Sequence, residues 1–578
     1  MQHRWLMETP QPELSGRLAH DLKISPLLAQ CLINRGLDTP QDAEQFMNPR
    51  LAGLADPFEL PNMQKAVDRL FAARVNNEAL TIFGDYDVDG VTSTALLTLS
   101  LRELGWEVHP FLPHRMEEGF GLSRAAVEKC LEVERTPLLL AVDCGSTNAE
   151  TIDWLNSEGI DVLVLDHHQL EGEPPRAHAL VNPQVASSGE PDFRELCSAG
   201  LAFKLLHAVV KQGRREGFPE MEGFDLKPFL DLVALGTIAD LVPLRRENRI
   251  LARAGLEWLN RTRREGLLAL KEVSQSPAEI GVYEVGFHLG PRLNAAGRLE
   301  SAKASLDLLL TDNAVEAERI SALLDEQNRE RQAKEREIAD EVISAVRGRF
   351  DPEKDFVIVE GRSHWHLGVV GIVASRVMRE FYRPAIVLGG DGEAMRGSGR
   401  SIEGIDLVAA LRECDDLLTT HGGHAMAAGV GLKPENVDEF RERLNAFVKE
   451  KMTGEMLSPP LRLDAETNLY DLTIARVNEL QRLQPTGQEN PSVQLIIRDL
   501  ELDRPPYRMG REKQHAKLWV RDDGAQTLEA VMWNVAEGQE PEGRFDLAVA
   551  PQINEYNGRR SVQLKVLDWR HASTGVGT

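Results

Sequence analysis

Between residues 80 and 182 the chain carries four short apolar runs, and the first three each stop at acidic residues. "LTIF" leads into Gly84-Asp85-Tyr86-Asp87-Val88-Asp89, "PLLLAVD" ends at Asp143, "IDVLVLD" ends at Asp166 with His167 and His168 behind it, and "AHALVN" closes the series. Apolar runs of strand length alternating with helix-patterned segments are the signature of βαβ units and a parallel sheet. Parallel strands bring their carboxyl ends to one edge, so acids far apart in sequence converge on one cleft. A single Asp after a strand is ordinarily a helix cap or turn former. Four such positions in one domain, the fourth being Asp240 in "LVALGTIADLVPL", point to metal ligands instead. Hard oxygen donors with one or two imidazoles suit manganese or magnesium better than structural zinc. Two divalent cations ~4 Å apart would serve in-line hydrolysis of a phosphodiester.

Two competing chemistries are excluded by what surrounds the motif. Asp85-x-Asp87-x-Asp89-Gly90 opens like a calcium-binding EF-hand loop, but the bidentate Glu required at loop position twelve is replaced by Leu96, and a strand precedes the loop. No Gly-Lys dipeptide occurs, so there is no Walker A phosphate loop.

At 578 residues the chain exceeds one core, with ~150 residues per domain as a guide. Residues 1–75 have a mostly helical pattern and are expected to cap the next domain; 76–310 form the catalytic α/β domain. The stretch 311–349 is a long connecting helix, polar enough to bridge domains through solvent. A second α/β domain spans 350–453, with the glycine-rich stretches "RGSGRS" and "HGGHAMAAG", and short alternating segments over 460–578 fit a small oligonucleotide-binding barrel. The start "MQHRWLMETP" lacks an apolar signal region, and no apolar run approaches a membrane span, so a cytoplasmic protein without a membrane partner is expected. The five cysteines form no CxxC pair.

A net charge of -25 argues by itself against a nucleic-acid partner. The sum hides local patches, however: Arg245 to Arg264 includes seven arginines, and "YRMGREKQHAKLWVR" interleaves Tyr507 and Trp519 with Arg508, Arg511, Lys513, His515, Lys517 and Arg521. Either patch reads as a solvated face or a nucleic-acid contact.

"GDYDVDG", "VDCG", "DHH" and "GTIADLVPL", in this order, resemble the four motifs of the DHH phosphoesterases. "LGPRLNAAGRL", "HWHLGVVGIVASR", "GSGRSIEGIDL", "GGHAMAAG" and the terminal "INEYNGRRSVQLKVLDW" narrow the resemblance to the single-strand-specific 5'-to-3' exonucleases of that family, over nearly the whole chain. The resemblance implies that Asp87, Asp89, Asp143, His167 and Asp240 hold two divalent cations, Mn2+ or Mg2+, with Asp85 in or beside that set. It implies that His168 faces the scissile phosphate and acts in catalysis with Asp89 and Asp143. Arg115, Arg292, Asn294 and Arg298 would line the nucleic-acid path, and Ser398, Gly399, Arg400, Gly423 and His424 would grip a terminal 5' phosphate, through a nest of backbone N–H groups along the glycine runs. Family members often place a histidine shortly before the acidic pair; "TIFGDYD" has none, and Asp85 stands in its place.

The implied activity is hydrolysis of single-stranded DNA from a 5' end, in repair and recombination, by a monomer working with single-strand-binding protein and a helicase. A hydrolase of short oligoribonucleotides or cyclic dinucleotides, and a non-catalytic replication scaffold, are the competing readings. The barrel counts against the first, the intact ligand set against the second.

Overall fold

The computed structural model describes residues 3–114, 121–170, 172–185, 193–299, 301–390, 393–524 and 526–572. The chain separates into two compact units, Arg50–Leu457 and a second made of Met1–Pro49 with Ser458–Thr578.

In the larger unit a five-stranded, fully parallel sheet is built from β1 (Leu80–Phe83), β2 (Val108–Phe111), β3 (Leu138–Val142), β4 (Asp161–Leu165) and β5 (Ala179–Val181), in the order β2-β1-β3-β4-β5. The strands are buried almost throughout because helices cover both faces. The order reverses between β1 and β3, the crevice where open α/β sheets bind ligands, and Asp85, Asp87, Asp89 and Asp143 follow those two strands. Behind the sheet lie α1 (Val88–Glu103), α2 (Ser198–Glu216), α3 (Leu230–Ala239) and α4 (Arg246–Asn260). After them, α5 (Gly290–Leu299) leads toward α6, one continuous helix from Ala314 to Arg347.

The expected solvent bridge is corrected here, because α6 is docked along its length. Ala317, Ile320 and Leu324 bury against the first α/β domain, and Ala339, Val342 and Val346 against the second. Its charged middle is also inside: Asp325, Asn328 and Arg331 are buried, and Arg331 donates to Asn328 Oδ1 at 2.8 Å. Polar residues with partners can be buried, which polarity counted along a helix does not register.

The second α/β domain has a mixed sheet of β6 (Ile358–Gly361), β7 (Ala385–Gly390), β8 (Met395–Arg400), β9 (Leu418–His424) and β10 (Ala427–Leu432), in the order β9-β10-β8-β7-β6. A helix, α7 (Val370–Phe381), packs on β7 and β8.

The smaller unit closes a five-stranded barrel from β11 (Leu495–Met509), β12 (His515–Arg521), β13 (Thr527–Met532), β14 (Phe545–Tyr556) and β15 (Arg559–His571), with β11 pairing β14 and β13 running parallel to β15. The strand order 1-2-3-5-4 closing on 1 is that of an oligonucleotide-binding fold.

The cap expected over 1–75 divides at Pro49. Helices Pro12–Leu22, Pro26–Asn34 and Pro40–Met47 share a core with the barrel through Leu18, Leu28, Leu32 and Met47 against Leu469, Leu480 and Leu547. Strand Arg4–Met7 pairs in parallel with Pro460–Leu463. Only the later part of the stretch, including helix Met63–Val75, packs on the catalytic sheet. An amphipathic sequence announces that a face will be buried; it does not say against what.

No helix among the described residues is long and apolar enough to cross a membrane.

Candidate metal centre

The loop after β1 is folded tightly over the first turn of α1. Asp87 caps that helix, its Oδ1 accepting from Asp89 N at 3.0 Å and Gly90 N at 3.1 Å. A Cβ on Gly90 would lie 2.6 Å from the Asp85 carbonyl oxygen, so only glycine permits this wrap. The consequence is that Asp85, Asp87 and Asp89 present carboxylates to the strand edge from a rigid frame. Asp143, directly after β3, adopts a left-handed backbone with φ of 64°. Such conformations cost free energy in a non-glycine residue and collect at functional sites.

His167 is the hub. Its Nε2 lies 3.4 Å from Asp143 Oδ1, 3.7 Å from Asp240 Oδ2 and 4.0 Å from Asp89 Oδ2. Donor atoms of Asp89, His167 and Asp240 converge within 4.8 Å of one another, as do those of Asp85, Asp87 and Asp143, and those of Asp143, His167 and His168. The structure thus brings together every ligand expected from the sequence, in overlapping groups.

Asp240 arrives by another route than the sequence suggested. It is the C-cap of α3 and follows no strand. "LDLVALGTIA" is apolar on all sides and buried all round, and a buried helix of that kind has no periodicity to separate it from a buried strand.

Asp166 has a different task from the other acids. Its Oδ1 lies 2.7 Å from His168 Nδ1 and accepts from His167 N at 2.8 Å, while its Oδ2 accepts from Ser146 N at 3.0 Å. It fixes the imidazole of His168, whose side chain is 52% exposed at the rim. That hydrogen bond, outweighing burial, raises His168 to about 9, and the Asp166 carboxyl is in turn held well below the usual carboxylate range.

Sequence reasoning missed the N-terminus of α2. Ser198 N and Ala199 N donate to Asp89 Oδ2 and Oδ1 at 2.7 and 2.8 Å, and Ser198 Oγ donates to Asp143 Oδ1 at 2.9 Å. A helix N-terminus carries partial positive charge, so α2 steadies two buried acids. Backbone donors leave no side-chain signature; the small residues of "CSAG" are the only trace.

Burial first, and neighbouring carboxylates second, push Asp89 up to about 7 and Asp240 up to about 9, and raise Asp143 well above its ordinary value. Burial lowers His167 to about 4, leaving its imidazole neutral and able to bind a metal at pH 7. A hard-oxygen cluster strained by its own negative charge, with a neutral imidazole at its centre, fits divalent cations. The sign of the pH effect follows. Groups raised in the fold bind protons that unfolded carboxylates, near pKa 4, give up; the stability they contribute is full below about pH 4 and is lost as pH rises through about 7 and about 9. Chelator-treated protein is therefore expected to melt at lower temperature at pH 9 than at pH 6, and manganese to raise the melting temperature more at pH 9. Thermal melts under the four conditions check this.

The "GPRLNAAGRL" residues hold the centre from behind. Asn294 Oδ1 accepts from Val88 N at 3.2 Å, at the start of α1. Arg292 donates to Asp325 Oδ1 of α6 at 2.9 Å and to the His288 carbonyl at 2.7 Å, and Arg298 donates to the Gly368 carbonyl of the second α/β domain at 3.3 Å. A Cβ on Gly297 would come within 2.8 Å of the Tyr86 carbonyl oxygen. Gly297→Ala is accordingly expected to displace the acidic loop and lower kcat by about tenfold to a hundredfold, with the far-ultraviolet circular dichroism unchanged; steady-state kinetics on a single strand check it. Arg115 lies outside the described residues.

For the first of the two glycine runs the expected backbone nest is corrected. Gly397, Gly399 and their neighbours lie on β8, a central strand whose backbone pairs with β7 and β10. Their N–H groups belong to the sheet, so an anion beside β8 is met by side chains. Ser398 and Arg400 point to one side of β8, where Arg400 donates to Ser398 Oγ at 2.6 Å. Both approach Gly371 in the first turn of α7. Gly423 and His424 are exposed at the end of β9, beside the turn into β10.

On the barrel, much of the basic patch is neutralised: Lys517 pairs with Glu529 at 3.0 Å, Arg521 with Glu501 at 2.8 Å, and Arg508 with Glu540. Arg504 stacks 4.0 Å from the Trp519 ring, and Tyr507, Trp533 and Tyr556 are exposed.

Residues 79–237 match the N-terminal domain of the DHH family, 354–450 the DHHA1 domain and 463–568 the RecJ OB domain. The single-stranded-DNA-specific exonuclease RecJ of Bacillus subtilis (strain 168) is 38% identical over 571 residues, which cover 98% of this chain and 70% of that protein. Crystallised RecJ from Thermus thermophilus in complex with Mn2+ superposes with a TM-score of 0.84 at 29% identity, covering 99% of this chain and 80% of the other. Its Mg2+ complex gives 0.78 at 28%, covering 99% and 79%.

Proposed function

The chain belongs to the RecJ family of the DHH phosphoesterases, and from that premise we propose that it is a metal-dependent exonuclease that hydrolyses single-stranded DNA from the 5' end and releases 5'-mononucleotides. The observation that carries this is the convergence of Asp85, Asp87, Asp89, Asp143, His167 and Asp240 into overlapping donor groups at the switch point of the sheet, with His168 on the rim. Asp87, Asp89, Asp143, His167 and Asp240 would hold two cations, Mn2+ or Mg2+, with Asp85 beside them. When bound, such ions would supply an activated water and neutralise charge on the attacking and leaving oxygens.

The chain's own residues do the rest. His168, kept cationic by Asp166, faces the developing charge on the phosphate or protonates the leaving oxygen. Arg298 ties the catalytic domain to the second α/β domain. There Arg400 is largely buried, and among the described residues no carboxylate neutralises it. A buried guanidinium of this kind calls for an anion, and the first turn of α7 beside it favours one as well. This supports a 5'-phosphate grip by Ser398, Gly399 and Arg400, with Gly423 and His424 close by. Arg292 and Asn294 enter this reading as positioning residues.

Five buried free cysteines agree with a reducing cytoplasm. The reading extends to a monomer acting in repair and recombination, supplied with single strands by a helicase and meeting single-strand-binding protein. The test is a 5'-phosphorylated strand labelled at either end, incubated with manganese or with chelator. Metal-dependent release of mononucleotides from the 5' end is expected; an intact long strand beside a digested dinucleotide would move the protein to the short-substrate hydrolases.

A further inference from the structure

Neither the metal centre nor the phosphate pocket uses the arginine-rich segment 245–264 or an exposed aromatic pair that follows it. Most of those arginines have internal tasks: Arg249 is fully buried, and Arg245 and Arg264 pair with Glu195 and Asp231. Arg261 and Arg263 are exposed just past the last turn of α4; Arg261 lies over the Trp258 ring with Glu257 Oε2 at 3.6 Å and stays open to solvent. There Asn260 and Ile280 exchange two hydrogen bonds of 2.8 and 2.7 Å. The two arginines therefore stand at the start of the helical stretch that begins at Val282.

On that stretch Tyr283 and Phe287 are 61% and 66% exposed, and their rings stack with centroids 4.7 Å apart. Aromatic side chains of this size ordinarily dominate cores and interfaces. Here a π turn, Val285–Leu289, intervenes before α5, with Gly290 N–H reaching back to the Val285 carbonyl. Turns of this type are frequent at functional sites. The far end of the stretch meets the metal centre, since Gly290 lies against Ala239, the residue before Asp240. The π turn packs on α3, the helix that ends at Asp240. From Tyr283 to Gly290 the helical rise is about 10 Å.

We propose that Arg261, Arg263, Tyr283 and Phe287 form a track for the strand on the 3' side of the scissile bond, with bases stacking on the Tyr283–Phe287 pair while phosphates pass the two arginines. The proposal rests on the single-strand exonuclease reading. A protein partner would also cover an aromatic pair. Two exposed guanidinium groups at one end, and continuity with a phosphodiester-cleaving edge at the other, favour a polyanion in which every unit offers a π face.

The experiment uses the full chain and its Tyr283→Ala/Phe287→Ala variant. Binding of a 5'-phosphorylated single strand of about fifteen nucleotides is measured in chelator, and hydrolysis of a trinucleotide in manganese. Affinity for the long strand is expected to fall by about 5- to 100-fold, with trinucleotide hydrolysis unchanged and Tyr283→Phe/Phe287→Tyr restoring wild-type binding. Arg261→Gln and Arg263→Gln are expected to reduce the slope of log affinity against log salt by about 0.7 for each phosphate that is no longer neutralised. Unchanged affinity for the long strand would overturn the track and leave the pair to a protein partner. Equal losses on long and short substrates would overturn it as an effect on folding. Wild-type protein that leaves the long strand intact in manganese would overturn the exonuclease reading itself.

Discussion

Replacing Asp89 by Asn is expected to lower the rate of single-strand hydrolysis by roughly a thousandfold or more, since bound cations supply several kcal/mol of transition-state stabilisation and each ~1.4 kcal/mol is a factor of ten. Asp89 is 1% exposed, lies 4.0 Å from His167 Nε2, and spends both oxygens on the N-terminus of α2. The amide keeps the shape, removes the charge, and turns one acceptor into a donor facing a backbone N–H. Metal affinity should fall with activity, because the Asp89, His167 and Asp240 group is left with His167 and Asp240. In chelator the loss of a repelled buried charge offsets the lost acceptor, so the metal-free melting temperature should move by a few degrees at most. Single-turnover rates and manganese titration calorimetry decide it; a variant within tenfold of wild type would remove Asp89 from the catalytic machinery.

The second large effect concerns a residue that touches no substrate. Asp166→Asn is expected to reduce kcat by about thirtyfold at pH 8, from loss of the cationic form of His168. Its hydrogen bond raises His168 to about 9; without the carboxylate the imidazole returns toward its ordinary value near 6.5. A raised histidine is cationic below its pKa and loses its proton as pH rises through it. Wild-type activity should therefore decline only above about pH 9, and the variant from about pH 6.5, so the deficit is small at pH 6 and widens toward pH 8. His168→Ala should lose activity at every pH, and combining the two changes should cost little more than His168→Ala alone, as for residues acting in one unit. Complete pH profiles of the three variants check the assignment, and a uniform loss in Asp166→Asn across pH would make Asp166 a purely structural support.

The candidate metal centre was legible because the residues proposed to hold the ions sit where the sequence changes character. Asp85 to Asp89, Asp143 and His167 each follow an apolar run, and strand ends in a parallel sheet share an edge. Asp240 was legible as a candidate ligand and illegible as a helix end, since its helix is apolar on every side. The α2 N-terminus escaped notice because Ser198 N and Ala199 N contribute backbone groups that any residue possesses. The glycines of "RGSGR" pointed toward a nest but serve a crowded central strand, where Gly399 leaves room for Leu407 and Ile386. Helices Pro12–Leu22 and Pro26–Asn34 showed their apolar faces plainly, yet the face that receives them is built more than four hundred residues later.

Helix α6 sets a dimension as well as a connection. Its 34 residues contain neither glycine nor proline, so it has no built-in hinge, and a helix of that length spans about 51 Å. Docked at both ends, it works as a calliper locked at one opening: the gap between Arg400 and the His167 cluster is fixed by the scaffold. Under the function proposed here, the size of each fragment released becomes a property of the gauge and is indifferent to sequence. Lengthening the locked arm by one helical turn, about 5.4 Å, would then change the size of the piece cut, where most insertions would only change how fast it is cut.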